Sequence, residues 1–176
     1  MKASVLEDHL DCEQGDLPEE IFRKDLLCPR IFLEELTPYR SMIRGFFEEE
    51  TKRSFAEQPE RILDYLKKNI TFHPEEEYDT IMATPVGVLT MKQGSPLAQK
   101  ILFVAICRSL NVAARLNPVT LEPEYYRDGE FHSVETEAAV FEGGNGKCGS
   151  DTACGGWKRM EILSDVDHRK VERNGV

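Results

Sequence analysis

The segment SPLAQKILFVAICRSL, residues 95–110, constrains this chain more than any other. Ser95 is a residue type that caps helix starts, and Pro96 suits the first helical position, so the segment predicts a helix opening there. From Ile101 to Cys107 every residue is apolar. A helix that is apolar on all sides must be surrounded by protein. The chain is therefore organised around one buried central helix. Arg108, near its end, suits the negative pole of the helix dipole.

Downstream, the pattern changes to strands. Val112–Leu116 reads as a strand, and 124–135 reads as a β-hairpin. Asp128-Gly129 between alternating residues favours the tight turn such a hairpin needs. A buried helix followed by a small antiparallel sheet predicts an α+β fold. Upstream, the sequence is helical. Asp16, Pro18, Glu19 and Glu20 predict a capped helix start, with Pro29 marking its end after Leu27. Phe32, Leu33 and Leu36 suggest a short apolar-faced turn. Thr37 and Pro38 open a further helix, with Met42, Ile43, Phe46 and Phe47 at helical spacing. Pro59 starts another, with Ile62, Leu63, Leu66 and Ile70 as its stripe and Lys67 and Lys68 near its negative end. Residues 71–83 read as a polar loop whose Glu75–Glu77 run is a solvated surface. Thr84–Gly94 reads as a turn-and-strand approach to the central helix.

Three regions result: a helical lead-in over 1–83, a core over 84–140, and a tail over 141–176. In the tail, Gly143–Gly156 is too glycine-rich for regular structure and reads as a loop. Trp157–Leu163 reads as one more strand, and the polar end suggests a cut point in a longer parent chain.

Composition excludes some functions. A net charge of −10 repels phosphate backbones, which argues against nucleic-acid binding. No apolar run approaches the roughly 18 residues a membrane span needs. The first residues turn acidic and carry no stretch of signal-peptide length, although a mature secreted domain or a fragment would look the same. The five cysteines, an odd count, follow no disulfide framework, so the compartment stays open. No cofactor motif is present. Cys148 and Cys154, with His168 as a third ligand, match no zinc spacing, and two free thiols are the simpler reading.

Gly94-Ser95, the buried helix, Arg108–Arg115 (RSLNVAAR) and Tyr126–Phe131 (YRDGEF) together resemble the transglutaminase-like superfamily. In that family a glycine-acid-cysteine entry leads into a buried helix, "GIPAR" follows it, and a histidine-bearing strand and an aspartate-bearing strand come next. Here "NVAAR" stands for "GIPAR". The resemblance covers about residues 84–136, with similar helices ahead of it in large multidomain bacterial members. It implies a papain-like site for acyl transfer: a thiolate at the helix N-terminus, a histidine base, and an acid orienting the histidine.

Carried over residue by residue, the motif places the nucleophile at Pro96, or at Ser95 with a slip of one. The histidine falls near Thr120, where none of residues 117–122 is histidine. The acid falls at Glu135. Two of the three roles therefore have no holder. Ser95 is a candidate nucleophile, better explained as a cap. Cys107 lies at the wrong end of the helix for a thiolate and reads as core packing. His132 and Glu135 fall on opposite strand faces and do not form a dyad. Pro96, Thr120, Tyr126 and Phe131 are candidate cleft residues, although strand aromatics, Tyr125 included, are more often packing residues.

Three readings follow. The first is a non-catalytic module that binds a peptide or glycan within a larger bacterial protein. The second is an active hydrolase or acyltransferase with a relocated nucleophile such as Ser95. The third is a structural spacer.

Overall fold

The computed structural model describes residues 2–73 and 83–136. The chain divides into two units, Met1–Val140 and Phe141–Val176, and every described residue lies in the first. The glycine-rich loop, the strand expected over 157–163, the Glu75–Glu77 run, and Cys148, Cys154 and His168 fall outside the described residues.

The central helix forms as the sequence predicts. α7, numbering the helices in chain order, spans Pro96–Ser109 and buries every residue from Ile101 to Ser109. Around it pack the π-helical turn Phe22–Leu27, α3 (Arg40–Phe46), α5 (Glu60–Asn69), α6 (Pro85–Met91) and the strands β3 (Ala114–Leu116) and β4 (Pro123–Arg127). The helices are α1 (Ala3–Leu10), α2 (Glu19–Ile21, continuing as the π turn Phe22–Leu27), α3 (Arg40–Phe46), α4 (Glu49–Glu57), α5 (Glu60–Asn69) and α6 (Pro85–Met91). Two short strands, β1 (Thr71–Phe72) and β2 (Gln93–Gly94), pair in parallel. The main sheet runs β3 (Ala114–Leu116), β4 (Pro123–Arg127) and β5 (Glu130–Ser133), antiparallel and in that order. The fold is thus α+β, with a helical lead-in and a buried helix on a small antiparallel sheet.

The Asp128-Gly129 hairpin forms in the expected register, with Arg127 opposite Glu130 and Tyr126 opposite Phe131. Both turn residues have positive φ, +53° and +91°, as a type I′ turn requires. α5 buries Ile62, Leu63 and Leu66, with Ile70 just beyond.

Several expectations are corrected. Asp16 does not cap α2: Pro18 is the boundary residue and no side chain caps the start. The last part of that helix widens to π geometry, and the carbonyls of Lys24 and Leu26 are taken by arginine side chains. Phe32–Leu36 is not a helical turn. The buried Glu34 carboxylate accepts the N–H groups of Ile31 and Phe32 at 2.8 and 2.7 Å, a local alternative to a helix, and Leu33 is left 72% exposed. In α3 only Ile43 of the helical stripe is buried, with Phe47 just past its end. Met42 and Phe46 are about half exposed.

α4 was not foreseen. Its Phe55 joins Phe47 and Tyr65 in edge-to-face contacts at 5.2–5.8 Å, which anchors an otherwise polar helix. Thr84–Gly94 is mostly helix, not strand. Thr84 Oγ1 accepts the Gly87 N–H at 3.2 Å, and Pro85 occupies the first helical position.

Candidate functional site

The entry to α7 is tight. A Cβ on Gly94 would meet Val88 at 3.2 Å and Ala98 at 3.3 Å, so a residue without a side chain seats α6 against the first turn of α7. Ser95 follows in extended conformation, and its Oγ accepts the Ala98 N–H at 3.2 Å. Among the described residues the Ala98 N–H is the only hydrogen-bond partner of that side-chain oxygen. Its oxygen therefore acts as an acceptor at a cap, and among the described residues no hydrogen bond joins it to a base.

One turn beyond Pro96, Lys100 donates to Glu122 Oε1 at 2.7 Å, and Thr136 Oγ1 donates to Glu122 Oε2, also at 2.7 Å. Burial pushes the Glu122 carboxyl up, but the bonds from Lys100 and Thr136 outweigh this and hold it below its ordinary value. The group of three ties the first turns of α7 to the β3–β4 turn and to the end of β5.

That turn holds itself together. Asn117 Oδ1 accepts the N–H groups of Val119 and Thr120, and Thr120 Oγ1 accepts the Glu122 N–H. Thr120, at the place expected for the histidine, is an exposed turn residue. Glu135, at the place expected for the acid, is exposed beside Thr136.

Tyr126 and Phe131 lie toward the other end of the hairpin, one step from its tight turn. Their rings meet edge to face at 5.2 Å, and the Arg115 guanidinium sits 3.6 Å above Phe131. Glu124, buried, accepts from Arg115 at 3.0 Å and from Asn117 at 2.5 Å. This sheet face combines two half-buried aromatics with an oriented cation and carboxylate. The structure therefore divides the sequence-predicted residues. Ser95, Pro96, Thr120 and Glu135 belong to the end marked by Lys100, Glu122 and Thr136; Tyr126 and Phe131 belong to the other.

On the opposite sheet face, Tyr125 donates to the Glu60 carboxylate, and burial together with that bond pushes the phenol up to about 12. His132 stacks on Tyr125 at 5.4 Å, with Nε2 3.2 Å from the Arg127 carbonyl, and Glu135 is not among its partners. Cys107 is fully buried, and burial pushes its thiol up, as core packing requires.

Lys100, Glu122 and Glu124 carry no site role in the sequence reading, and Arg115 enters there only as part of the family motif. Only the four-residue step from Pro96 to Lys100, which puts both on one helix face, could have drawn attention to the first of them. Among the described residues no group of three or more His, Cys, Asp or Glu is arranged to hold a metal ion, and no helix is long and apolar enough to cross a membrane.

Comparison with known proteins gives one match. The family model for the transglutaminase-like superfamily core covers residues 40–136, more than half of the chain. It reaches back across α3, α4 and α5, well before the segment that carries the resemblance in sequence. No curated protein and no solved structure matches.

Proposed function

Because the chain belongs to the transglutaminase-like superfamily, we propose that it is a member that binds without catalysing acyl transfer, a module for a peptide or glycan within a larger bacterial protein. The observation that carries this reading is the entry to α7. A thiolate placed there would be activated by the helix dipole and a neighbouring base. Here Ser95 Oγ is engaged as the cap, Pro96 has no reactive group, and Lys100 of the next turn is locked to Glu122.

The face of Tyr126 and Phe131 supports the binding half of the reading. Half-exposed rings offer stacking area, and Arg115 and Glu124 offer a fixed donor and acceptor. Such a surface suits a sugar ring or an extended peptide.

Two experiments test it. The protein is incubated with glutamine-amide donors and amine acceptors and with electrophilic serine and cysteine probes. No turnover and no site-specific labelling is expected; amidase or transamidase activity that disappears on Ser95→Ala would overturn the non-catalytic reading. Thermal-shift screening with peptides and oligosaccharides is expected to find stabilisation that Tyr126→Ala or Phe131→Ala removes. Absence of stabilisation by either class leaves the spacer reading in its place.

A further inference from the structure

A pocket of about 310 Å³ lies at the far end of α7 from Ser95. One wall is a face of α4: Glu49, Lys52, Arg53 and Ala56 recur there at helical spacing. Arg44 comes from α3, and Leu110 and Asn111 from the turn that follows α7. The charge of this pocket is opposite to that of the chain. The chain carries a net −10, yet three cations, Arg44, Lys52 and Arg53, line the pocket against one acid, Glu49.

The three cations are not equally occupied. Arg44 is fixed: its Nε donates to the Ser109 carbonyl at 2.6 Å, and its terminal nitrogens donate to the carboxylate and the carbonyl of Asp11. Lys52 donates to Glu49, whose carboxylate is 87% exposed, so water competes for it and the pair holds weakly. The Arg53 side chain has no hydrogen bond or ion pair among the described residues. The side-chain amide of Asn111 has no partner among them either.

The negative pole of α7 also lies at this end, but its carbonyls are largely taken. That of Ser109 accepts from Arg44, that of Arg108 from the Asn111 N–H at 3.4 Å, and that of Cys107 from the N–H groups of Leu110 and Val112, both at 3.0 Å. The pocket therefore offers free donors and net positive charge around one enclosed space.

We propose that this pocket binds a small molecule through an oxyanion group, a carboxylate or a phosphate, held by Arg53 and Lys52 with the Asn111 amide as a further donor. A guanidinium matches either group with two parallel N–H donors. Arg44 adds positive charge from a fixed position, and Ala56 and Leu110 supply apolar surface for the rest of the molecule. The volume stands at the small end of ligand pockets, which limits the ligand to a compact one. The site is separate from the α7 entry and from the Tyr126–Phe131 face, and it holds whether or not the chain is catalytic.

The test is thermal unfolding of the full chain at constant ionic strength, with sodium chloride replaced stepwise by sodium phosphate or sodium citrate. Melting temperature should rise saturably with at least one of them, as for a ligand bound only to the folded state. A response to phosphate alone assigns a phosphate group, and a response to citrate alone assigns a carboxylate. Arg53 is exposed, so Arg53→Gln should fold, and it should weaken apparent affinity about tenfold or more, the loss of a hydrogen bond between charged groups. Asn111 has φ +61°, so Asn111→Gly removes the amide while keeping a backbone that glycine adopts freely, and it should weaken affinity about fivefold. Arg23→Gln, on the exposed surface of α2 and the π turn, should leave affinity unchanged. Both test anions also stabilise proteins generally by exclusion from their surface. A rise that does not saturate, that persists unchanged in either pocket variant, or that falls equally in Arg23→Gln would overturn the proposal, as would curves that coincide with chloride.

Discussion

Replacing Ser95 separates a helix cap from a nucleophile, because the two roles rank substitutions differently. In Ser95→Ala the Ala98 N–H, within a residue only 2% exposed, loses its acceptor. An orphaned buried donor costs about 1–3 kcal/mol, and loss of an N-cap serine costs about 0.5–2 kcal/mol. The overlap gives about 1–2 kcal/mol. For a chain of this size each kcal/mol lowers the melting temperature by about 2–4 °C, so a drop of about 2–8 °C is expected by differential scanning calorimetry. Ser95→Gly should cost only a few tenths of a kcal/mol, since glycine suits the cap position. Ser95→Asp should stay close to wild type, because a carboxylate both accepts the bond and complements the positive helix end. A nucleophile would lose its function equally in all three. The reasoning is refuted if alanine is neutral, or if glycine costs as much as alanine.

Further outcomes follow from the same geometry. Pro96→Cys should yield a thiol with a pKa below the free value of about 8.5, from the helix dipole, read from the pH dependence of iodoacetamide alkylation; no amide turnover should accompany it, since Thr120 and the exposed Glu135 stand at the places expected for the histidine and the acid. Asp8→Asn should lower stability by about 1–2 kcal/mol at neutral pH, because Asp8 caps α3 from another helix. Burial raises the Asp8 carboxyl, but the bonds from Ser41 and Arg40 outweigh it and leave it below 3.8. Its stabilisation is therefore complete above the ordinary carboxylate range and is lost as pH falls through the folded value, so urea midpoints of wild type and Asp8→Asn should converge on acidification. Gly129→Ala, at φ +91°, should cost about 1 kcal/mol or more by straining the hairpin turn, measured as a lower urea midpoint.

The central helix and the hairpin were legible because each is written in local pattern: seven consecutive apolar residues for one, and Asp-Gly between alternating positions for the other. The helix α6 was misread for a local reason too. The segment reads as a turn and strand, while Thr84-Pro85 carries the cap and first-turn proline that decide the matter. Other features have no local signature. Nothing in the spacing of Arg40 or Arg108 marks them as buried, since the carbonyls that take their donors, Leu26 for the one and Cys28, Arg30 and Ala114 for the other, come from other segments. Asp8 caps a helix that starts 32 residues later, a contact set by the packing of α1 on α3. In the site, the cap of Ser95 and the first-turn Pro96 were readable directly. The convergence of Lys100 and Thr136 on Glu122 was not, because it joins three segments that meet only in three dimensions.

The arginine at the end of α7 also bears on where this domain may be cut. The matched span begins at residue 40, yet Arg108 inside it donates to carbonyls of Cys28 and Arg30, and Arg44 reaches Asp11 and the Asp11 carbonyl. A recombinant piece trimmed to 40–136 would retain the recognisable family segment while stripping acceptors from a buried guanidinium and the cap from α3. The evolutionary module and the smallest self-sufficient unit are therefore different lengths of chain, and limited proteolysis should leave α1 and the π turn attached to the core.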